Sequence, residues 1–209
     1  MRHHVAIGFM GKHRHQHRHN VYVEIVTKKS KTVQNHTLNY IGNNELLEYP
    51  KTAFLCSRKV PASIVLKSFD WAREMCRIQR CVISGNHSQI EKDVFHFLLK
   101  GKQPLILALA RGLKQKIEPE LQEALSGKRL LIATSFSDSI RRVSEETANK
   151  RNTIMAEISD VLFVAYAQPG GIVERLILEQ LKRRKEVITF DVPENQILIN
   201  VGVKTVTTV

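Results

Sequence analysis

The sequence predicts an α/β fold with a doubly wound, mostly parallel sheet and helices on both faces. Two observations lead to this prediction: short, wholly apolar strands alternate with helical stretches, and small residues follow the strands. Strands buried on both faces are typical of a parallel sheet covered by helices. Right-handed crossovers place every strand-to-helix loop at one edge of such a sheet, where these folds bind ligands.

Before the parallel part of the fold we predict a short β lead-in, at residues 21–49. Residues 21–26 have strand character, residues 28–31 a turn composition and residues 37–41 the character of a second short strand. Because a two-stranded hairpin is marginal alone, we expect it to pack on the domain that follows.

The remaining elements alternate regularly through residues 50–209, which we interpret as one domain. Six strands are predicted, at residues 52–56, 80–84, 104–110, 129–134, 161–167 and 186–191. Five helices lie between them, at residues 61–79, 90–100, 118–126, 139–158 and 172–184. This order of elements is typical of doubly wound domains.

The first twenty residues are rich in histidine, with His or Arg at most positions from 13 to 19. Such a segment can bind Ni²⁺ or Zn²⁺, but it contains no carboxylate or Cys that would complete a defined site. We interpret residues 1–20 as a disordered head outside the fold. No metal or cofactor site is predicted in the chain.

The composition is that of a globular protein. With 43% hydrophobic residues and three Cys among 209 residues, the chain is neither a disordered polymer nor a disulfide scaffold. An odd number of Cys without a CxxC pair indicates a reducing compartment. No apolar run could span a bilayer and no secretory signal pattern is present, so a cytoplasmic protein without membrane association is expected.

The net charge of +12 favours a polyanionic partner. A merely solubilising surface charge is the alternative interpretation. Aromatic residues make up only 6% of the chain, so few side chains are available for stacking on bases.

Five loops fall at the predicted ligand-binding edge, and all of them contain Ser or Gly. They are residues 56–58, 84–88, 110–113, 135–137 and 168–171. Small residues let backbone amides approach a ligand, and helix N-termini favour anions, so the loops indicate a phosphate site. Loops also favour these residues for purely conformational reasons. Neither GxGxxG nor GxxxxGK[ST] occurs, which disfavours a standard dinucleotide fold and a P-loop NTPase.

The candidate binding residues come from these loops and from the helix at 139–158. Arg151 is the first choice because a guanidinium can contact phosphate with two donors; its alternative is an ion pair with a glutamate on the same helix. His87 could serve as an acid or base or be a plain loop residue, and Glu91 could cap its helix. No catalytic residue is predicted. The predicted ligand- and phosphate-binding set is Ser57, Arg58, Ser84, Gly85, Arg111, Gly112, Arg151, Asn152, Pro169, Gly170 and Gly171.

These loops, in this order, resemble those of the DNA-processing protein A (DprA/Smf) family over about residues 49–203. The family's Gly-Ile-Asp is replaced here by Gln89-Ile90-Glu91. The matching positions are residues 56–58 for its Gly-Ser-Arg, 84–85 for Ser-Gly, 112–113 for Gly-Leu, 151–152 for Arg-Asn, 169–171 for its small-residue loop, and more loosely Asn195, Leu198, Ile199 and Gly202 near the end.

The resemblance implies a Rossmann-like domain. The family's flanking helical and winged-helix modules are not recognised in this sequence, so we expect a minimal, Rossmann-only relative. It also implies binding of single-stranded DNA or a nucleotide, a recombinase as protein partner, a homodimer, and a role in DNA uptake and recombination during natural transformation. The protein is predicted to bind rather than to catalyse.

The same fold group includes phosphoribohydrolases that resemble the "lonely guy" enzymes, and this gives an alternative function. Their Arg-Lys-x-x-Met is matched in part by residues 151–155, and their Pro-Gly-Gly by residues 169–171. Ile177 stands where their glutamate should be. Such a hydrolase would have to use Arg151 with Glu174 or Glu179. A nucleotide-sensing module without DNA affinity is the third alternative.

Overall fold

The computed structural model describes residues 28–114 and 116–206, which form nine strands, six α-helices and two short 3₁₀ turns. The strands are β1 (Lys29–Val33), β2 (His36–Gly42), β3 (Lys51–Cys56), β4 (Cys81–Ser84), β5 (Leu105–Ala108), β6 (Leu130–Thr134), β7 (Val161–Tyr166), β8 (Glu186–Phe190) and β9 (Lys204–Val206). The helices are α1 (Ala62–Arg77), α2 (Gln89–Leu99), α3 (Pro119–Ser126), α4 (Glu145–Ile158), α5 (Ile172–Lys182) and α6 (Gln196–Asn200).

All nine strands form one sheet in the order β1-β2-β6-β5-β4-β3-β7-β8-β9. Seven strands are parallel to one another: β6, β5, β4, β3, β7, β8 and β9. At the β6 end, β2 pairs antiparallel with β6, and β1 pairs antiparallel with β2. The predicted doubly wound α/β fold is therefore confirmed. The chain adds β4, β5 and β6 on one side of β3 and then β7 and β8 on the other. This reversal of strand order opens a crevice beyond the carboxyl ends of β3 and β7.

Two hydrophobic clusters cover the two faces of the sheet. Alternate residues of β3 enter opposite clusters: Ala53 and Leu55 on the face of α4, α5 and α6, and Phe54 and Cys56 on the face of α1, α2 and α3. Trp71 of α1 is buried in the core, and the centroids of its ring and the Phe54 ring are 4.8 Å apart. With both faces covered, only the edges and ends of the sheet are open to a ligand.

The lead-in differs from the prediction. Residues 28–31, predicted as a turn, largely belong to β1, and the hairpin turns instead at Gln34, which has a positive φ of 51°. The predicted second strand is confirmed within β2, whereas the predicted strand at residues 21–26 and the head at 1–20 lie outside the described residues. The Lys and Ser residues that suggested a turn suit an exposed edge strand, because charged side chains there oppose edge-to-edge pairing. The hairpin joins the sheet by pairing β2 with β6.

The helix predicted at residues 139–158 begins six residues later, at Glu145. Ser144 starts it with a capping box, in which its hydroxyl accepts from the Thr147 amide and its own amide donates to the Thr147 hydroxyl. Residues 135–144 therefore form a long loop over the end of the sheet. The prediction also missed α6 and β9. Among the described residues, no helix is both long and apolar enough to cross a membrane.

Candidate functional site

The loops after β3 and β7 meet at the crevice. The Ser57 amide donates to the Tyr166 carbonyl, and the Ser57 hydroxyl accepts from the Gln168 amide, each at 2.9 Å. Together with the first turns of α4 they enclose a cleft of about 710 Å³, here called the main cleft. Two of the predicted ligand-binding loops are thus in direct contact, and buried Ser57, which also lines the main cleft, joins them.

Basic side chains line the main cleft. Arg58 and Lys59 are exposed at its rim, and within the described part of the chain neither makes a hydrogen bond or ion pair. Arg175, from the first turn of α5, donates to the Gly170 carbonyl. The lining includes the carboxylates of Glu145, which is exposed, and Glu91, which is buried. The rim is therefore electropositive. Lys59 and Arg175 were not predicted, although Lys59 directly follows Arg58 in sequence.

Arg151 lies behind this rim, and its side chain is only 4% exposed. Its Nη1 donates to the carbonyls of Gly85 and Ala108, and its Nε donates to Oδ1 of Asn152. Burial lowers the pKa of the guanidinium, and the nearby Glu91 charge opposes that shift. The residue thus ties α4 to the ends of β4 and β5. None of its hydrogen bonds goes to a glutamate of its own helix.

The loop after β4 is built around that guanidinium. A Cβ atom on Gly85 would overlap Cζ and Nη1 of Arg151 and would lie 2.7 Å from its Nε. Ser84 is buried, and its hydroxyl accepts from the amide of Asn86, which has a positive φ of 50°. Burial and the Arg151 charge lower the pKa of His87, so its imidazole is neutral at pH 7. Gly85 and Ser84 therefore shape the loop, and Gly85 also lines the second cleft described below.

Glu91 holds three backbone amides at the base of the main cleft. Its carboxylate accepts from Cys56 at 3.1 Å, His87 at 2.9 Å and Ser88 at 3.1 Å. The bond from the Ser88 amide, with the Ser88 hydroxyl accepting from the Glu91 amide, forms a capping box, so the helix-capping role of Glu91 is confirmed. The bond to Cys56 also joins the loop after β4 to the end of β3. The first role was predicted from the place of Glu91 in the first turn of its helix, and nothing in the sequence marked the second.

The loop at residues 169–171 uses its amides internally. The Gly170 amide donates to Oε2 of Glu174 at 2.6 Å, and the Gly171 amide donates to the Gln168 carbonyl at 2.9 Å. Gly170 has a positive φ of 70°, which a glycine adopts without strain. The carboxylate of Glu174 thus accepts a hydrogen bond from a backbone amide at the N-terminal end of α5, where an anion is stabilised.

Arg111 and Gly112 belong to a different place. Arg111 lines a smaller cleft of about 210 Å³ beyond the ends of β5 and β6, here called the second cleft, to which it contributes its half-buried side chain. Gly112 adjoins it in the same loop but does not line it. The buried Gly112 donates its amide to the Ile140 carbonyl, and a Cβ there would lie 2.5 Å from the Cα of Asp138. Gly112 therefore permits close packing of two loops, and its amide is not free for a ligand.

The arrangement does not favour the hydrolase alternative. Glu174 is bonded to Gly170, and Glu179 pairs with Arg183 at 2.6 Å. Neither carboxylate lines the main cleft. A hydrolase needs a carboxylate placed to activate water, and neither candidate is so placed.

Comparison with known proteins identifies a family for the chain. The family model described as DNA recombination-mediator protein A matches residues 16–195. No curated protein matches the sequence.

Solved structures share the fold. The structure of DNA processing protein A from Helicobacter pylori, studied for its single-stranded DNA binding mode, has a TM-score of 0.70 at 16% identity and covers 86% of this chain and 91% of its own. The structure of DNA processing protein A from Streptococcus pneumoniae has a TM-score of 0.68 at 21% identity. The match covers 82% of this chain and 63% of the Streptococcus pneumoniae chain, so this chain spans less than two thirds of that protein. A molybdenum cofactor binding protein from Rippkaea orientalis has a TM-score of 0.53 at 14% identity, and the match covers 77% of this chain and 90% of that protein's chain. The family model covers most of the sequence, and this chain therefore belongs to the DNA recombination-mediator protein A family.

Proposed function

We propose that the protein binds the phosphate backbone of single-stranded DNA in the main cleft and handles DNA during uptake and recombination. Family membership supports the role, and the similar Helicobacter pylori protein was studied for its binding of single-stranded DNA. In this proposal the protein is a binding protein rather than an enzyme, acts in the cytoplasm, forms a homodimer and delivers DNA to a recombinase.

The observation that carries the proposal is the pair of exposed cations at the rim of the main cleft. Arg58 and Lys59 lie in the loop after β3, one residue beyond its end, at the point where the strand order reverses, which is where folds of this kind bind ligands. An unpaired guanidinium can contact a phosphate with two donors, and an ammonium adds a point charge. Their position on an open cleft of about 710 Å³ suits a polymer that passes through.

Arg151 has a supporting role in this proposal. Because its guanidinium is bonded to Gly85 and Ala108, it fixes the loop after β4 and adds positive potential from below the rim. Asn152 accepts from Arg151 and orients it. The direct phosphate contacts are assigned to Arg58, Lys59 and Arg175.

The test is a fluorescence-anisotropy titration of a labelled dT oligomer with the full chain over a range of salt concentrations. The double variant Arg58→Ala/Lys59→Ala is expected to weaken binding and to reduce the slope of log K against log salt by about 0.7 for each lost phosphate contact. The matched control is Lys100→Ala/Lys102→Ala, which removes two exposed lysines at the opposite edge of the sheet. That control should bind almost like the parent protein.

Two results would contradict the proposal. The first is that the parent protein does not bind the dT oligomer, or binds it with an affinity that does not depend on salt. The second is that both double variants lose the same amount of affinity, which would indicate non-specific attraction. Competition with deoxythymidine monophosphate distinguishes a nucleotide-sensing pocket: a mononucleotide that displaces the oligomer at equal concentration would favour the sensor, because it carries far fewer phosphates.

A further inference from the structure

The second cleft has an apolar interior and a polar mouth. Seven Leu and Ile side chains line it, from β2, β5, β6, α3 and the connecting loops: Ile41, Leu107, Leu109, Leu113, Ile117, Leu121 and Ile132. Its polar side is formed by Asn86, His87, Arg111, Lys114, Glu118 and Glu120. Its volume of about 210 Å³ is below the ~300–1,000 Å³ typical of sites for drug-sized ligands, so it suits a single small ring system.

Two buried polar groups on this cleft lack partners. Oδ1 of Asn86 and Nη2 of Arg151 are buried and make no hydrogen bond within the described part of the chain. Arg151 is more than nine-tenths buried, and unpaired polar atoms at such depth are unfavourable. An acceptor and a donor thus stand beside an aliphatic wall, which matches a flat heterocycle whose edge carries both kinds of group.

The second cleft adjoins the main cleft. His87, Val143 and Arg151 line both, and Val143, at 43% exposure, lies on the ridge between them. The half-buried Arg111 adds a positive charge on the far side of the ridge. A strand held by its phosphates in the main cleft therefore passes within reach of the second cleft.

We infer that the second cleft is a nucleobase subsite, in which one base of the bound strand turns inward against the aliphatic wall. This inference rests on the proposed function. The base edge would meet Asn86 and Arg151, and Arg111 would face the adjoining phosphate. A base gains from contact with an apolar wall and from its edge hydrogen bonds, whereas the backbone contacts carry no information on bases.

The experiment compares a labelled dT oligomer with an abasic oligomer of the same length, which keeps the phosphates and lacks the bases. Two variants alter the cleft. Asn86→Gly removes the amide and tolerates the positive φ, and Leu109→Phe fills part of the cleft from a half-buried position. Leu99→Phe, at a half-buried leucine that does not line this cleft, is the control. Thermal unfolding of each variant verifies that it is folded.

We expect both cleft variants to weaken dT binding about three- to tenfold, as loss of one well-placed interaction does, with the salt slope unchanged. Abasic binding and the Leu99→Phe control should stay within error. Equal loss on both oligomers, or no loss on either, would overturn the base subsite while leaving phosphate binding intact, and another occupant would then fill the cleft. Failure of the parent protein to bind either oligomer would instead overturn the proposed function, and the subsite with it.

Discussion

Gly85 and Arg151 are matched to each other, because the guanidinium fills the space that any side chain at position 85 would need. The carbonyl of Gly85 then accepts from Nη1 of the same guanidinium. Ser-Gly after β4 and Arg-Asn on α4 are therefore one packing unit, although 66 residues separate them.

Gly85→Ala is expected to lower the free energy of unfolding by about 1–3 kcal/mol, the usual range for overpacking at a buried site. The guanidinium is the end of a flexible side chain, but moving it breaks its bonds to Gly85 and Ala108. Urea unfolding measures the loss. Gly127→Ala is the control, since its φ is −74° and the nearest atom to the new Cβ would be 3.3 Å away.

A double-mutant cycle locates the cause of that loss. In an Arg151→Ala background, Gly85→Ala should be nearly neutral, because the atoms it collides with are gone. An undiminished loss in that background would show that the backbone at position 85, and not the guanidinium, excludes a side chain.

Glu91→Gln should destabilise the fold by about 1–3 kcal/mol, because an amide oxygen and an NH₂ group replace two acceptors that serve three backbone amides, two of them buried. The buried Arg151 charge would also lose its nearby carboxylate. Glu123→Gln, at an exposed position on α3, is the matched control in the same urea titration. Equal effects of the two substitutions would contradict the structural role assigned to Glu91.

The sequence predicted the order of elements but not the depth of the side chains. Apolar runs such as β7 located the parallel strands, because burial on both faces leaves a continuous apolar pattern. Arg151 was selected from its motif, yet its burial depends on Gly85 and on the end of β5, which only the folded sheet brings together. Likewise, Glu174 bonds the glycine loop through a local geometry that spacing alone does not show.

Glu174→Ala is expected to tighten binding of a dT oligomer about two- to fivefold at low salt, since it releases the Gly170 amide and removes a negative charge at the N-terminus of α5. Fluorescence anisotropy measures the change. Glu179→Ala, on the same helix but paired with Arg183, removes an equal charge away from the main cleft and should have little effect. Equal tightening by both variants would assign the effect to net charge, and weakened binding by Glu174→Ala would show that Glu174 supports the loop.

Glu157 should make stability depend on pH in the acid range. It lies at the end of α4 between His36 of β2, at 2.6 Å, and Arg183 beyond α5, also at 2.6 Å, and so joins the hairpin to the helical layer. Burial raises the pKa of this carboxyl, but hydrogen bonds from His36 and Arg183 outweigh it, and the pKa falls below its ordinary value of 4.5.

Because the unfolded chain takes up the proton first, the stabilisation by Glu157 is present above pH 4.5 and is lost as pH falls through the lower folded-state pKa. Glu157→Gln should therefore lower the free energy of unfolding by about 1 kcal/mol at pH 7, and this difference from the parent protein should shrink between pH 5 and pH 3. Urea unfolding at several pH values measures it, with Glu146→Gln, exposed on the same helix, as the control. A difference that stays constant down to pH 3 would mean that packing, rather than the charge of Glu157, holds the hairpin to the helices.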